Sequence, residues 1–182
     1  MRGKPARLGR ARRGTHTGYD VPRSGTLRNA LKRLYFAKTI RYGRGGKTLM
    51  EKSTPTVVVI DDSTSVRAFV QRCADGLDVE IRAYASVSAA MAYLSEAHPA
   101  LVFLDIIMPD KDGLTFLQEM RRMPGYEDLP VVMVSSKDYA QDRMTAKDLG
   151  AVEFVAKPMS TKTIRDLIIK YAGATGGQTE HG

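Results

Sequence analysis

Five side chains of this sequence have the types, and the positions relative to apolar runs, that group-transfer chemistry needs. Asp61 and Asp62 follow the β-branched run TVVVI. Asp105 ends the apolar run LVFLD. Ser135 follows VVMV, and Lys157 follows FVA. A carboxylate at the end of a buried segment costs several kcal/mol of desolvation unless something compensates it, roughly 2–7. Three carboxylates brought together would also raise one another's pKa. A hard divalent cation with oxygen ligands relieves that repulsion, and Mg²⁺ suits a small site that keeps several waters. A lysine opposite supplies further positive charge. Such a set could stabilise phosphoryl oxygens during in-line transfer, mainly by position and electrostatics. An aspartate can act as the nucleophile and become an acyl phosphate. A hydroxyl such as that of Ser135 could then bond a phosphoryl oxygen.

The elements that must position these groups alternate along the chain. Thr56–Ile60, Val79–Ala83, Leu101–Leu104, Val131–Val134 and Val152–Val155 read as strands. Between and after them, Ser63–Ala74, Ser86–Leu94, a pattern through Leu114, Leu117 and Met120, Asp138–Leu149 and Ser160–Tyr171 read as helices. Five β-α units in about 120 residues predict a parallel sheet with helices on both faces. Near-continuous apolar strands fit burial on both sides. In open sheets of this kind, sites form at the carboxyl ends of strands. All five chemical residues fall there.

The sequence resembles the receiver domain of two-component response regulators, the CheY-like fold, over about residues 55–172. The resemblance rests on the acid pair after the first strand and DIIMPDKDG after the third. It rests equally on Ser135 after the fourth strand and Lys157-Pro158 after the fifth. It implies the flavodoxin-like strand order 2-1-3-4-5. It implies Asp105 as phosphoacceptor, with Mg²⁺ held by Asp62, by Asp61 largely through water, by Asp105, and by the backbone carbonyl of Ile107. Ser135 and Lys157 would contact the phosphoryl group. Pro158 would follow a cis peptide, which only X-Pro bonds form readily. Phe154 falls at the family's switch aromatic. Lacking a hydroxyl, its two rotamers should differ only by packing and lie close in energy. A receiver is not an enzyme in the usual sense, though it supports its own phosphotransfer and dephosphorylation.

The implied partners are a histidine kinase or phosphotransfer protein, and a downstream protein target. The target would dock on the fourth helix, fifth strand and fifth helix, a face including Ser136, Tyr139, Met144, Phe154, Met159 and Lys162. A single-domain regulator of the chemotaxis or twitching-motility type is expected, since no recognisable output module follows Tyr171.

Charge divides the chain. Residues 1–52 hold fifteen Lys/Arg against two acids, a net of +13, and residues 53–182 a net of −5. The overall +8 and pI of about 9.7 therefore describe neither part. Three readings of residues 1–49 compete: a basic disordered arm that binds nucleic acid through phosphate neutralisation, an amphipathic helix for an anionic membrane or partner groove, and a start misassigned upstream of Met50. The third is favoured, because receivers begin only a few residues before their first strand. The alternative function is accordingly a nucleic-acid-binding or non-phosphorylated interaction module led by the arm, but nucleic acid is not the expected partner. GRGGKT is not a phosphate loop, since Arg stands at position 41 where Gly is required. The expected boundaries are an extension 1–52, a receiver 53–173 and a disordered tail 174–182. No apolar run reaches membrane-spanning length. The lone Cys73, expected to be buried, and three scattered histidines fit a cytoplasmic setting.

Overall fold

Residues 53–175 are described by a computed structural model. The basic segment, with the three readings attached to it, and most of the expected tail lie outside the described residues. Ala174 and Thr175, the first two residues of the expected tail, lie against the domain. Ala174 is buried, and the carbonyl of Thr175 accepts a 3.0 Å bond from the Asp78 N–H.

Five strands form one wholly parallel sheet: β1 (Thr56–Ile60), β2 (Glu80–Tyr84), β3 (Leu101–Asp105), β4 (Val131–Ser135) and β5 (Glu153–Ala156). Their spatial order is β2-β1-β3-β4-β5, as the resemblance implies. Strands β3 and β4 are buried at every position. The strand period of two divides the core. Val57 and Val59 pack on one face with Val70, Ile164 and Ile168, and Val58 and Ile60 on the other with Leu94, Phe116 and Met120.

The helices are α1 (Thr64–Cys73), α2 (Val87–Leu94), α3 (Gly113–Met120), α4 (Ala140–Asp148) and α5 (Thr161–Leu167), the last continuing as a π-helical turn, Ile168–Ala172. Four of them start at a side-chain cap. Ser63, Ser86, Asp112 and Ser160 accept from the amides of Val66, Ala89, Thr115 and Thr163, which satisfies amides that have no intrahelical partner. Helix α4 differs, and begins two residues later than its apolar pattern predicts. Its N-cap is Tyr139, which makes no side-chain cap bond. Asp138, expected as part of a helix start, instead pairs with Arg143 one turn inside. Strand β2 begins one residue later than predicted, because the Val79 N–H turns back to Leu77 and the ladder starts with Glu80 bonding Pro55. The last helix widens where Lys170 and Tyr171 both reach Glu153 of β5.

Candidate phosphoacceptor site

Strands β1 and β3 are neighbours, so their carboxyl ends bring the acid pair beside Asp105. The Asp61 N–H donates to Tyr84 and extends the ladder by one residue. Ser63 then caps α1, and its own N–H donates 2.9 Å to Asp61 Oδ1. Asp61 is thereby buried while Asp62 stays exposed. Asp61, Asp62 and Asp105 each offer a carboxylate oxygen within 4.8 Å of the others.

Lys157 reaches the cluster from the end of β5. Its Nζ lies 2.8 Å from Asp61 Oδ2 and 3.2 Å from Asp105 Oδ2, and the Lys157–Pro158 peptide is cis. Burial opposes the charge of Lys157. The hydrogen bond to Asp61 and the field of Asp105 outweigh that, and hold its pKa above the usual lysine range. At Asp105 burial dominates and raises the carboxyl pKa; Lys157 pulls it down, and the charge of Asp61 pushes it up again.

One polar atom is left over. Asp105 Oδ1 is buried and has no hydrogen-bond partner among the described residues. Both Asp61 oxygens are engaged, by Ser63 and Lys157. An orphaned carboxylate oxygen in an all-oxygen set next to an exposed aspartate is the donor chemistry that a hard cation takes. The residues therefore fit Mg²⁺. Ile107, two residues past Asp105, has a half-exposed side chain. The preceding loop is pinned by the Gly113 N–H, which donates 2.8 Å to the Ile106 carbonyl.

Ser135 closes β4 one strand away and is fully buried. Its Oγ accepts from the Lys137 N–H at 3.1 Å and is not bonded to the acids. Phe154, on the edge strand β5 opposite Met133, is half-buried and does not line the acid cluster. Its expected freedom needs correction. The Arg143 guanidinium lies over its ring, 4.5 Å from the centroid, so packing alone does not set its rotamer preference.

The sequence reading did not single out Arg67. Its Nη1 donates to the carbonyls of both Asp61 (2.7 Å) and Asp62 (2.9 Å), and its Nη2 to Thr64 Oγ1 (3.1 Å). A signal was available. A cation in the first turns of a helix faces the positive end of the helix dipole, the wrong end for it, and needs a local reason to be there.

Residues 57–169 match the response regulator receiver domain family. The chain belongs to that family. It is 32% identical over 115 residues to the probable transcriptional regulator ycf27 of Cyanophora paradoxa, covering 63% of this chain and 47% of that protein. It is also 32% identical over 114 residues to the response regulator Rre1 of Synechocystis, covering 62% and 49%. The chain thus spans about half the length of these curated relatives. The fold is shared with the chemotaxis protein CheY4 of Vibrio cholerae, with a TM-score of 0.60 and 23% identity over 65% of this chain and 99% of that one. The described part is thus a receiver domain of the two-component type. No helix among the described residues is long and apolar enough to cross a membrane.

Proposed function

We propose that this domain accepts a phosphoryl group on Asp105 from a histidine kinase or a histidine phosphotransfer protein, with Mg²⁺, and signals by docking to a protein. The observation that carries the proposal is Asp105 itself: a buried carboxylate with one orphaned oxygen, beside a lysine and two further acids. Asp62, Asp105 and the Ile107 carbonyl would hold Mg²⁺, with Asp61 acting largely through water. When bound, the cation offsets the crowded carboxylates and the charge on the phosphoryl oxygens.

The remaining steps belong to the chain's own groups. Asp105 is held by the rigid end of β3 and keeps one lone-pair face unbonded. One of its oxygens forms the new O–P bond as the donor's N–P bond breaks, and the imidazole leaves with that electron pair. Lys157 is already charged and close, and pairs with a phosphoryl oxygen. Ser135 can exchange its bond to the Lys137 amide for one to the phosphoryl group, which adds charge and acceptor oxygens at the sheet edge. Movement of Ser135 opens space beside β5 for Phe154. The output face is α4, β5 and α5, where Tyr139 and Met144 are exposed. Docking there follows the chemotaxis type of regulator.

Intact mass after incubation with Mg²⁺ and acetyl phosphate tests the acceptor. The wild-type protein should gain one phosphoryl group, and Asp105→Asn should gain none. Equal modification of the mutant would remove Asp105 from the role.

A further inference from the structure

We infer that Arg67 is a positioning residue for the cation, fixing the loop that presents Asp61 and Asp62. The inference rests on the metal site proposed above. The carbonyls of Asp61 and Asp62 lie between a strand that has ended and a helix that has not begun. The first carbonyl of this segment to enter the helix ladder is that of Ser63, which accepts from the Arg67 N–H at 3.1 Å. The two preceding carbonyls are taken by the Arg67 side chain instead, at 2.7 and 2.9 Å. One residue therefore starts the helix with its main chain and closes the loop before it with its side chain.

The guanidinium suits the task. Its planar fork lets Nη1 bridge two carbonyls while Nη2 is held by Thr64, a geometry that an ammonium on a flexible stem does not reproduce. No hydrogen bond joins it to the carboxylates themselves among the described residues. With both carbonyls turned toward Arg67, the two carboxylates lie within reach of Asp105. Without the clamp, the exposed Asp62 loses the most, because no hydrogen bond among the described residues holds its side chain in place.

The sign of the effect separates this role from simple electrostatics. A cation near a metal site repels the metal, so deleting its charge should tighten binding if charge were all that mattered. Deleting a positioning residue should weaken it, and partners that orient metal ligands typically matter about 10- to 100-fold. The test is Mn²⁺ affinity, read by electron paramagnetic resonance with Mg²⁺ competition, for wild type, Arg67→Ala, Arg67→Lys and Asp62→Ala. Thermal unfolding and metal-free amide spectra of residues 61–67 accompany it. Arg67→Ala should bind at least about tenfold more weakly, with amide shifts at Asp61 and Asp62. Arg67→Lys keeps the charge and should fall between Arg67→Ala and wild type. Unchanged or tighter binding by Arg67→Ala overturns the inference; should that variant not fold, wild-type affinity in Arg67→Lys overturns it equally. A wild-type protein that binds no Mn²⁺, or binds it as well without Asp62, overturns the metal site itself and this inference with it.

Discussion

Arg143 lies over the ring of Phe154 while its guanidinium is held along its Nε–Nη2 edge by both carboxylate oxygens of Asp138. The bidentate pair lowers the Asp138 pKa, chiefly through its hydrogen bond to Arg143, and fixes the plane of the guanidinium. For Phe154 to move into space beside Ser135 it must leave that plane. An exposed cation–π contact is worth about 0.5–1 kcal/mol, so the contact biases the ring against moving. Arg143→Gln should remove the bias. Since coupling between a ligand and a conformational equilibrium is reciprocal, the variant should bind beryllofluoride with Mg²⁺ about two- to fivefold more tightly. Titration by NMR over residues 135–160 reads this directly. An affinity equal to that of the wild type would show that Arg143 does not restrain Phe154.

The sheet was legible because buried parallel strands leave little choice of residue. VVVI, LVFL and VVMV have no polar side to satisfy, and the chemical residues stand where these runs stop. Caps were legible for the same kind of reason, since Ser63, Ser86 and Ser160 each precede an apolar helical period. The arginines were not. Arg67 and Arg143 lie within α1 and α4 and Arg121 at the C-cap of α3, and none belongs to the apolar patterns that mark the helices in the sequence. Each is committed instead to carbonyls or a ring, Arg121 to those of Tyr126, Leu149 and Gly150. Periodicity reports where a side chain starts, and a long side chain ends several ångströms away. Phe154 shows the same limit: the Arg143 guanidinium over its ring comes from α4, another element.

Asp105→Asn should stabilise the metal-free protein. Burial raises the Asp105 pKa, so the folded state binds a proton more readily than the unfolded state there. Stability then falls as pH rises from the ordinary carboxylate range through the raised value, because the unfolded chain ionises at less cost. Above that window the folded protein carries the full penalty. The asparagine removes it, and Lys157 keeps its 2.8 Å partner Asp61. Urea unfolding at pH 7 should show the variant to be more stable than the wild type, because burial raises the Asp105 pKa. The gain should shrink toward pH 4. A gain independent of pH, or a loss at pH 7, would contradict this account of Asp105.

Gly113→Ala should be severely destabilising although glycine opens a helix there. A Cβ at this position would lie 2.0 Å from the Asp105 carbonyl oxygen and 2.9 Å from the Ile106 Cα. Both are backbone atoms, and the same Gly113 amide bonds Ile106, so neither side can yield without breaking the turn. The expected loss is about 3 kcal/mol or more, beyond usual overpacking. Beryllofluoride binding should fall as well, because the displaced backbone is that of Asp105. Unfolding midpoints and a beryllofluoride titration measure the two effects. A loss within about 0.5 kcal/mol, the range of surface substitutions, would mean the loop is not packed as described.

Lys157→Met should turn the protein into one that depends on a divalent cation. Lys157 is the one cation paired with Asp61 and Asp105 among the described residues. Removing one partner of a buried ion pair leaves an uncompensated charge and typically costs about 3–5 kcal/mol. Protonation can relieve part of that cost, since burial already raises the Asp105 pKa. The variant should therefore be least stable at high pH and recover as pH falls toward 5. Mg²⁺ supplies the same compensation at constant pH. At about 100 times its dissociation constant, a ligand of the folded state alone adds about 2.7 kcal/mol. The gain in Tm on adding Mg²⁺ should be larger for Lys157→Met than for the wild type, because affinity rises when the resident ammonium no longer competes for both carboxylates. Asp62→Ala in the same background should abolish the rescue. A Tm that Mg²⁺ moves equally in wild type and variant would mean that lysine and metal do not share these carboxylates.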